Sequence, residues 1–178
     1  MSIRTLSSRL VYENPWLSLR EDHIERADCT PGIYSVVDVP NFAIVLPFED
    51  NGFHLVEQYR YPTGERSWEF PAGSFPAGVT GTPEQLAAAE LVEETGFRAA
   101  KLERVGFLHP ANSMTGQGGD VFIATQLSPG PARREATEQD MRQQWFARTE
   151  FEQMVREGVI TDGPTLAAYL LFTIRRQG

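Results

Sequence analysis

Three glutamates, Glu90, Glu93 and Glu94, stand at spacings of i, i+3 and i+4 in the run LAAAELVEETGF. On a helix these positions share one face, with neighbouring Cβ atoms roughly 5–6 Å apart. Carboxylates that close repel one another, by about 1 kcal/mol per pair at 4 Å in water and by more where solvent is shielded. The helix itself gains nothing from the cluster. It becomes useful around a hard divalent cation, because Mg²⁺ and Mn²⁺ take carboxylate oxygens and are commonly held together with substrate phosphates. The plainer alternative is a solvated acidic face. Against that stands the setting of the cluster: a strand end, a Gly-rich loop, a helix start and a Gly stop, in that order.

The segment that must position the glutamates has agreeing local signals. Thr82 suits the N-cap, Pro83 the first helical position, and Gln85 the capping-box distance. Leu86 to Val92 is rich in Ala and Leu, which favour helix, and Gly96 suits a left-handed stop. Upstream, Arg60 closes the strand-like run FHLVEQYR, and its guanidinium fork matches the oxygens of a diphosphate. Trp68 and Tyr59 offer faces for a base to stack on, although strand aromatics more often fill a core.

Residues 73–97 resemble the Nudix box, G-x5-E-x7-R-E-U-x-E-E-x-G-U with U apolar. Glu90, Leu91, Glu93, Glu94, Gly96 and Phe97 match its second half. The neighbouring runs WEFPAG and VEQYRYP resemble the ADP-ribose pyrophosphatase and nucleoside diphosphate sugar hydrolase branch, and the likeness covers nearly the whole chain. It implies an α+β fold, a mixed sheet between helices as an α/β/α sandwich, with extra N-terminal antiparallel strands. It also implies metal-dependent hydrolysis of ADP-ribose or a nucleotide sugar to a nucleoside monophosphate and a sugar phosphate. By the same resemblance Glu90, Glu94 and the Ala72 carbonyl would hold Mg²⁺ or Mn²⁺, and Glu93 would be a further ligand or orient water. Glu69 and Trp68 would join Arg60 at the substrate. For the general base Glu138 comes first and Glu135 second, both in the polar loop SPGPARREATEQD.

The pattern is incomplete. With Gly73 as the box glycine there are two extra residues before the helix. The box Glu then falls on Gly81 and the box Arg on Ala89, so both partners of an opposite-charge pair are missing together. Gln117 stands where this branch often has an acid. An alternative reading follows, a Nudix-fold nucleotide-binding or regulatory module without hydrolysis. The three retained glutamates argue for the enzyme.

With 178 residues there is room for one domain with a sizeable core. A net charge of −8 argues against broad contact with a nucleic-acid backbone, so an anionic substrate needs local arginine or a bridging cation. The single cysteine, Cys29, excludes an internal disulfide and a cysteine zinc site. The chain lacks a signal-type N-terminus and a long apolar run, which points to a cytoplasmic protein with no membrane contact. Residues 1–40 read as a β extension too small to stand alone and expected to build a homodimer, and residues 41–178 as the catalytic domain. FAIVLPF (42–48) reads as a strand buried on both faces, Asn51-Gly52 as a hairpin turn, and 150–158 and 164–176 as closing helices.

Overall fold

The apolar run 42–48 becomes the middle of the molecule. The computed structural model describes residues 3–76, 78–134 and 139–177, and strand β4 (Phe42–Glu49) lies at the centre of its seven-stranded sheet. The main path of that sheet is β10 (Arg142–Ala147), β5 (Gly52–Arg60), β4, β9 (Gly119–Ser128) and β8 (Arg98–Leu108). Two shorter strands, β6 (Glu65–Glu69) and β7 (Ala72–Gly73), pair with β5 and β4 respectively. β4 and β9 run parallel while the other pairs are antiparallel, so the sheet is mixed, as expected.

Alternation along β4 explains its unbroken apolarity. Ala43 and Val45 face one way, into a cluster with Leu86 and Ala87 from helix α1 (Pro83–Glu90) and Leu91 just beyond its end. Ile44 and Leu46 face the other way, into a larger cluster with residues of α2 (Arg148–Arg156) and α3 (Gly163–Gln177). Each sheet face is thereby covered by helix, which makes the sandwich. Phe53 sits fully buried at the hub of the larger cluster, with ring centroids of Phe70, Phe151 and Phe172 at 5.0–5.4 Å. Burial of one such ring contributes roughly 1.5–3 kcal/mol.

The hairpin between β4 and β5 turns one residue earlier than the Asn-Gly signal suggests. Asp50 and Asn51 take the left-handed conformation, with φ of 49° and 56°. Gly52 instead heads β5, where a Cβ would stand 2.4 Å from the Phe146 carbonyl oxygen. Packing against β10, an element that local sequence did not signal, fixes that glycine.

The N-terminal residues form a separate three-stranded antiparallel sheet of β1 (Arg4–Glu13), β2 (Ser18–Glu25) and β3 (Pro31–Asp38). Val37 N–H donates to the Met114 carbonyl and the Tyr34 hydroxyl to the Ser113 carbonyl, both at 2.9 Å, joining this sheet to the loop after β8. β1 is exposed along its whole length, including Leu6, Leu10 and Tyr12. No helix among the described residues is long and apolar enough to cross a membrane.

Candidate active site

The predicted helix start is realised as a complete capping box. Gln85 N–H donates to Thr82 Oγ1 at 3.2 Å, and Thr82 N–H donates to Gln85 Oε1 at 2.9 Å. A cap of this kind is worth about 1 kcal/mol, and it fixes where α1 begins and so where Glu90 falls. The end of the helix departs from expectation. After Glu90 the chain widens into a π-helical turn over Leu91–Thr95, closed by Gly96 at φ 80°. Such turns shift the phase of the side chains after them. Glu90 and Glu94 are buried, at 8% and 1% exposed, while Glu93 is half-buried. The three therefore do not form the even row that unbroken α-helical spacing predicts. Among the described residues no group of three acidic, histidine or cysteine side chains converges on one ion position.

Glu90 instead meets backbone. A Cβ built on Gly73 would lie 2.5 Å from Glu90 Oε1 and 2.6 Å from its Cδ and Oε2, so the whole carboxylate rests against the glycine. β7 pairs Ala72 with Ile44 and Gly73 with Ala43, which anchors that turn to the central strand. Gly73 borders two hollows. One, of about 340 Å³, is lined by Ser74, Phe75, Ala89, Glu90 and Glu93 among others. The second, of about 320 Å³, is lined by Arg60, Glu69, Ala72, Gln117 and Asp162 among others.

Arg60 and Glu69 form a forked ion pair. Arg60 Nε donates to Glu69 Oε1 at 2.8 Å, and Nη2 donates to Oε2. The Glu69 carboxylate is buried and Arg60 is closer to half exposed. The hydrogen bond to Glu69 holds the Arg60 pKa above its ordinary value; burial opposes this, and the charges of Glu69, Asp162 and Glu94 add to it. The field of Glu94 thus reaches Arg60 across the site. Asp162, which sequence reasoning passed over, also caps α3 by accepting from Thr165 N–H at 2.8 Å, and Thr165 Oγ1 accepts from Phe70 N–H at 3.0 Å. Its signal was present, as Asp-Gly-Pro-Thr ahead of an apolar run reads as a helix start.

The missing opposite-charge pair has an apolar substitute. A Cβ on Gly81 would lie 2.5 Å from Phe75 Cζ, so the ring occupies the room that a side chain at 81 would need. Phe75 packs against the cluster containing Leu86, and Ala89 opens onto the first hollow. Trp68 lies elsewhere. Its indole packs edge-on to Phe146 with centroids 4.9 Å apart and joins the larger core, while Ser67 and Glu69 on either side of it line a hollow. The Gln117 amide donates to the Pro40 carbonyl at 2.7 Å, which ties the loop before β9 to the start of β4. Glu135 and Glu138 lie outside the described residues.

Fold and site together define an α/β/α sandwich with carboxylates and an arginine along the walls of its hollows. The chain belongs to the Nudix family: residues 38–169 match the NUDIX domain, and residues 3–37 match the nucleoside diphosphate sugar hydrolase N-terminal domain. It is 30% identical over 169 residues to an ADP-ribose pyrophosphatase of Mycobacterium tuberculosis, covering 93% of this chain and 81% of that one. An ADP-ribose pyrophosphatase of Bacillus subtilis is 28% identical over 138 residues, covering 77% and 74%. A solved ADP compounds hydrolase superposes with a TM-score of 0.85 over 99% of this chain and 94% of its own, at 18% identity, a likeness of fold.

Proposed function

We propose that this enzyme hydrolyses the diphosphate of ADP-ribose or a nucleoside diphosphate sugar, releasing a nucleoside monophosphate and a sugar phosphate. One observation carries the reading: Gly73 lets the Glu90 carboxylate close onto the same wall that faces Arg60. The donors suit Mg²⁺ or Mn²⁺, since Mg²⁺ uses one or two carboxylates plus substrate phosphates rather than a full protein cage. Glu90, Glu94 and the Ala72 carbonyl would hold it, with Glu93 as a ligand or as the group that orients water. When bound, such a cation neutralises diphosphate charge and acidifies a water.

The protein's own groups do the rest. Glu69 engages Nε and Nη2 of Arg60, and the guanidinium's other N–H donors stay available to oxygens on which charge builds. Because Glu69 fixes the fork in advance, no reorganisation is needed when the substrate arrives. Water attacks one phosphorus, its O–P bond forms as the bridging P–O bond breaks, and a carboxylate takes the proton. Glu138, or else Glu135, is our choice for that carboxylate. Product analysis by chromatography after incubation with ADP-ribose, nucleotide sugars and dinucleotides, with Mg²⁺ or Mn²⁺, tests the reading. Glu94→Gln should lower kcat by at least ~100-fold. Ligand binding without turnover of any of these compounds would favour the second reading, a binding module, for which Gly81, Ala89 and the amide at Gln117 speak.

The same reading takes residues 1–40 as a dimerisation unit of a cytoplasmic homodimer and 41–178 as the catalytic domain. The apolar side chains on exposed β1 support it. Sedimentation should give the mass of two chains, and a monomer at micromolar concentration would defeat the idea.

A further inference from the structure

The face of the sheet under α3 carries a second polar hollow, away from the glutamates. In the ladder between β8 and β9, Lys101 pairs with Thr125 and Glu103 with Ile123. These four residues and Arg175 and Arg176, from the last turn of α3, line a hollow of about 220 Å³. Lys101 Nζ lies 3.4 Å from Glu103 Oε2 and Arg175 Nε lies 3.5 Å from Glu103 Oε1, so one carboxylate is shared loosely between two cations. The third cation is held by aromatic faces: Arg176 Cζ stands 4.3 Å from the Phe48 ring centroid and 5.3 Å from that of Phe172. Among the described residues, three positive groups thus face one negative group, in a chain whose net charge is −8.

A local excess of that sign calls for an anion. Guanidinium forks match phosphate oxygens, and arginine held against a ring has already lost part of the freedom it would otherwise give up on binding. The hollow is smaller than the roughly 300–1,000 Å³ typical of sites for drug-sized ligands, which favours a phosphate or sugar phosphate over a whole dinucleotide. Asp162 and Pro164, at the opposite end of α3, line the hollow that contains Arg60. Arg175 stands twelve positions after Gly163 along the helix, a rise of about 18 Å. We propose that this basic cleft binds a small phosphate-bearing anion, either inorganic phosphate or a phosphomonoester, at a place distinct from the catalytic hollows. The proposal does not depend on the reading of the catalytic site.

Amide shifts in ¹H–¹⁵N spectra of the full chain, in metal-free buffer, test it during titration with inorganic phosphate and, separately, with ribose 5-phosphate. Saturable shifts are expected at Lys101, Thr125 and Arg175, and they should persist in Arg60→Gln. The double variant Lys101→Gln/Arg175→Gln should weaken binding at least ~10-fold, the scale expected when charge-assisted contacts are removed. Both side chains are more than half exposed, so its melting temperature should stay near wild type. The tighter of the two probes identifies the source of the anion. Shifts confined to the surroundings of Arg60, shifts that do not saturate, or unchanged affinity in the double variant would overturn the proposal.

Discussion

Replacing Gly73 by alanine adds a single methyl group at the point where the glutamate helix meets the sheet. That methyl carbon would stand 2.5 Å from Glu90 Oε1, against 3.4–4 Å for an ordinary contact. The carboxylate must then withdraw by about 1 Å, a misplacement of the size that costs catalysis about 100-fold, or roughly 2.7 kcal/mol of barrier. The backbone raises no objection, since Gly73 is not among the residues with positive φ. Stability should hold or improve slightly, because alanine narrows the unfolded ensemble by about 0.4–1 kcal/mol relative to glycine. Two measurements on the same sample separate these effects: kcat/KM for ADP-ribose across a Mn²⁺ titration, and the thermal melting point. The expected outcome is a loss of about two decades in kcat/KM at an unchanged melting point. Activity within threefold of wild type would refute the argument that this contact sets the position of Glu90.

Further substitutions probe other parts of the site. Glu69→Gln should free the Arg60 fork and lower kcat more than it raises KM. Its stability cost should be about 1–2 kcal/mol, below that of breaking a fully buried pair because water reaches Arg60; an unchanged kcat would show that Arg60 needs no anchor. Gly81→Glu alone should lose stability, since its side chain meets the Phe75 ring. Adding Phe75→Ala and Ala89→Arg should recover part of that loss through a new ion pair, and tolerance of Gly81→Glu by itself would disprove the aromatic plug. His54 links pH to stability. Burial, opposed in part by Glu49, holds its pKa below the ordinary value. Its contribution is therefore complete above the unfolded value of about 6.5 and is lost as pH falls through the lower folded value. His54→Gln should flatten the decline of melting temperature between pH 7 and pH 5; parallel curves for variant and wild type would exclude His54 as the source.

Much of this architecture is legible along the chain because the forces behind it are local. The capping box at Thr82 and Gln85 spans four residues. The two buried faces of Phe42–Glu49 follow from alternation within one strand, and the stop at Gly96 follows from the freedom of a residue without Cβ. The three glutamates and Arg60 declare their chemistry by type. What local pattern could not decide is which surfaces meet. Strand register sets Arg60 opposite Glu65, yet its fork reaches Glu69. Helical spacing aligns Glu90, Glu93 and Glu94, yet a π-helical turn changes their phase and leaves Glu93 less buried than its neighbours. Loss of charge at 81 and 89 reads as a gap in the sequence, whereas in the fold Phe75 fills the space at Gly81. The contact of Gly73 with Glu90 joins residues seventeen positions apart, and that of Asp162 with the Arg60 field joins residues about a hundred apart. Such pairs are chosen by the order of strands and the packing of helices on them, a free energy summed over the whole core that no short window of sequence contains.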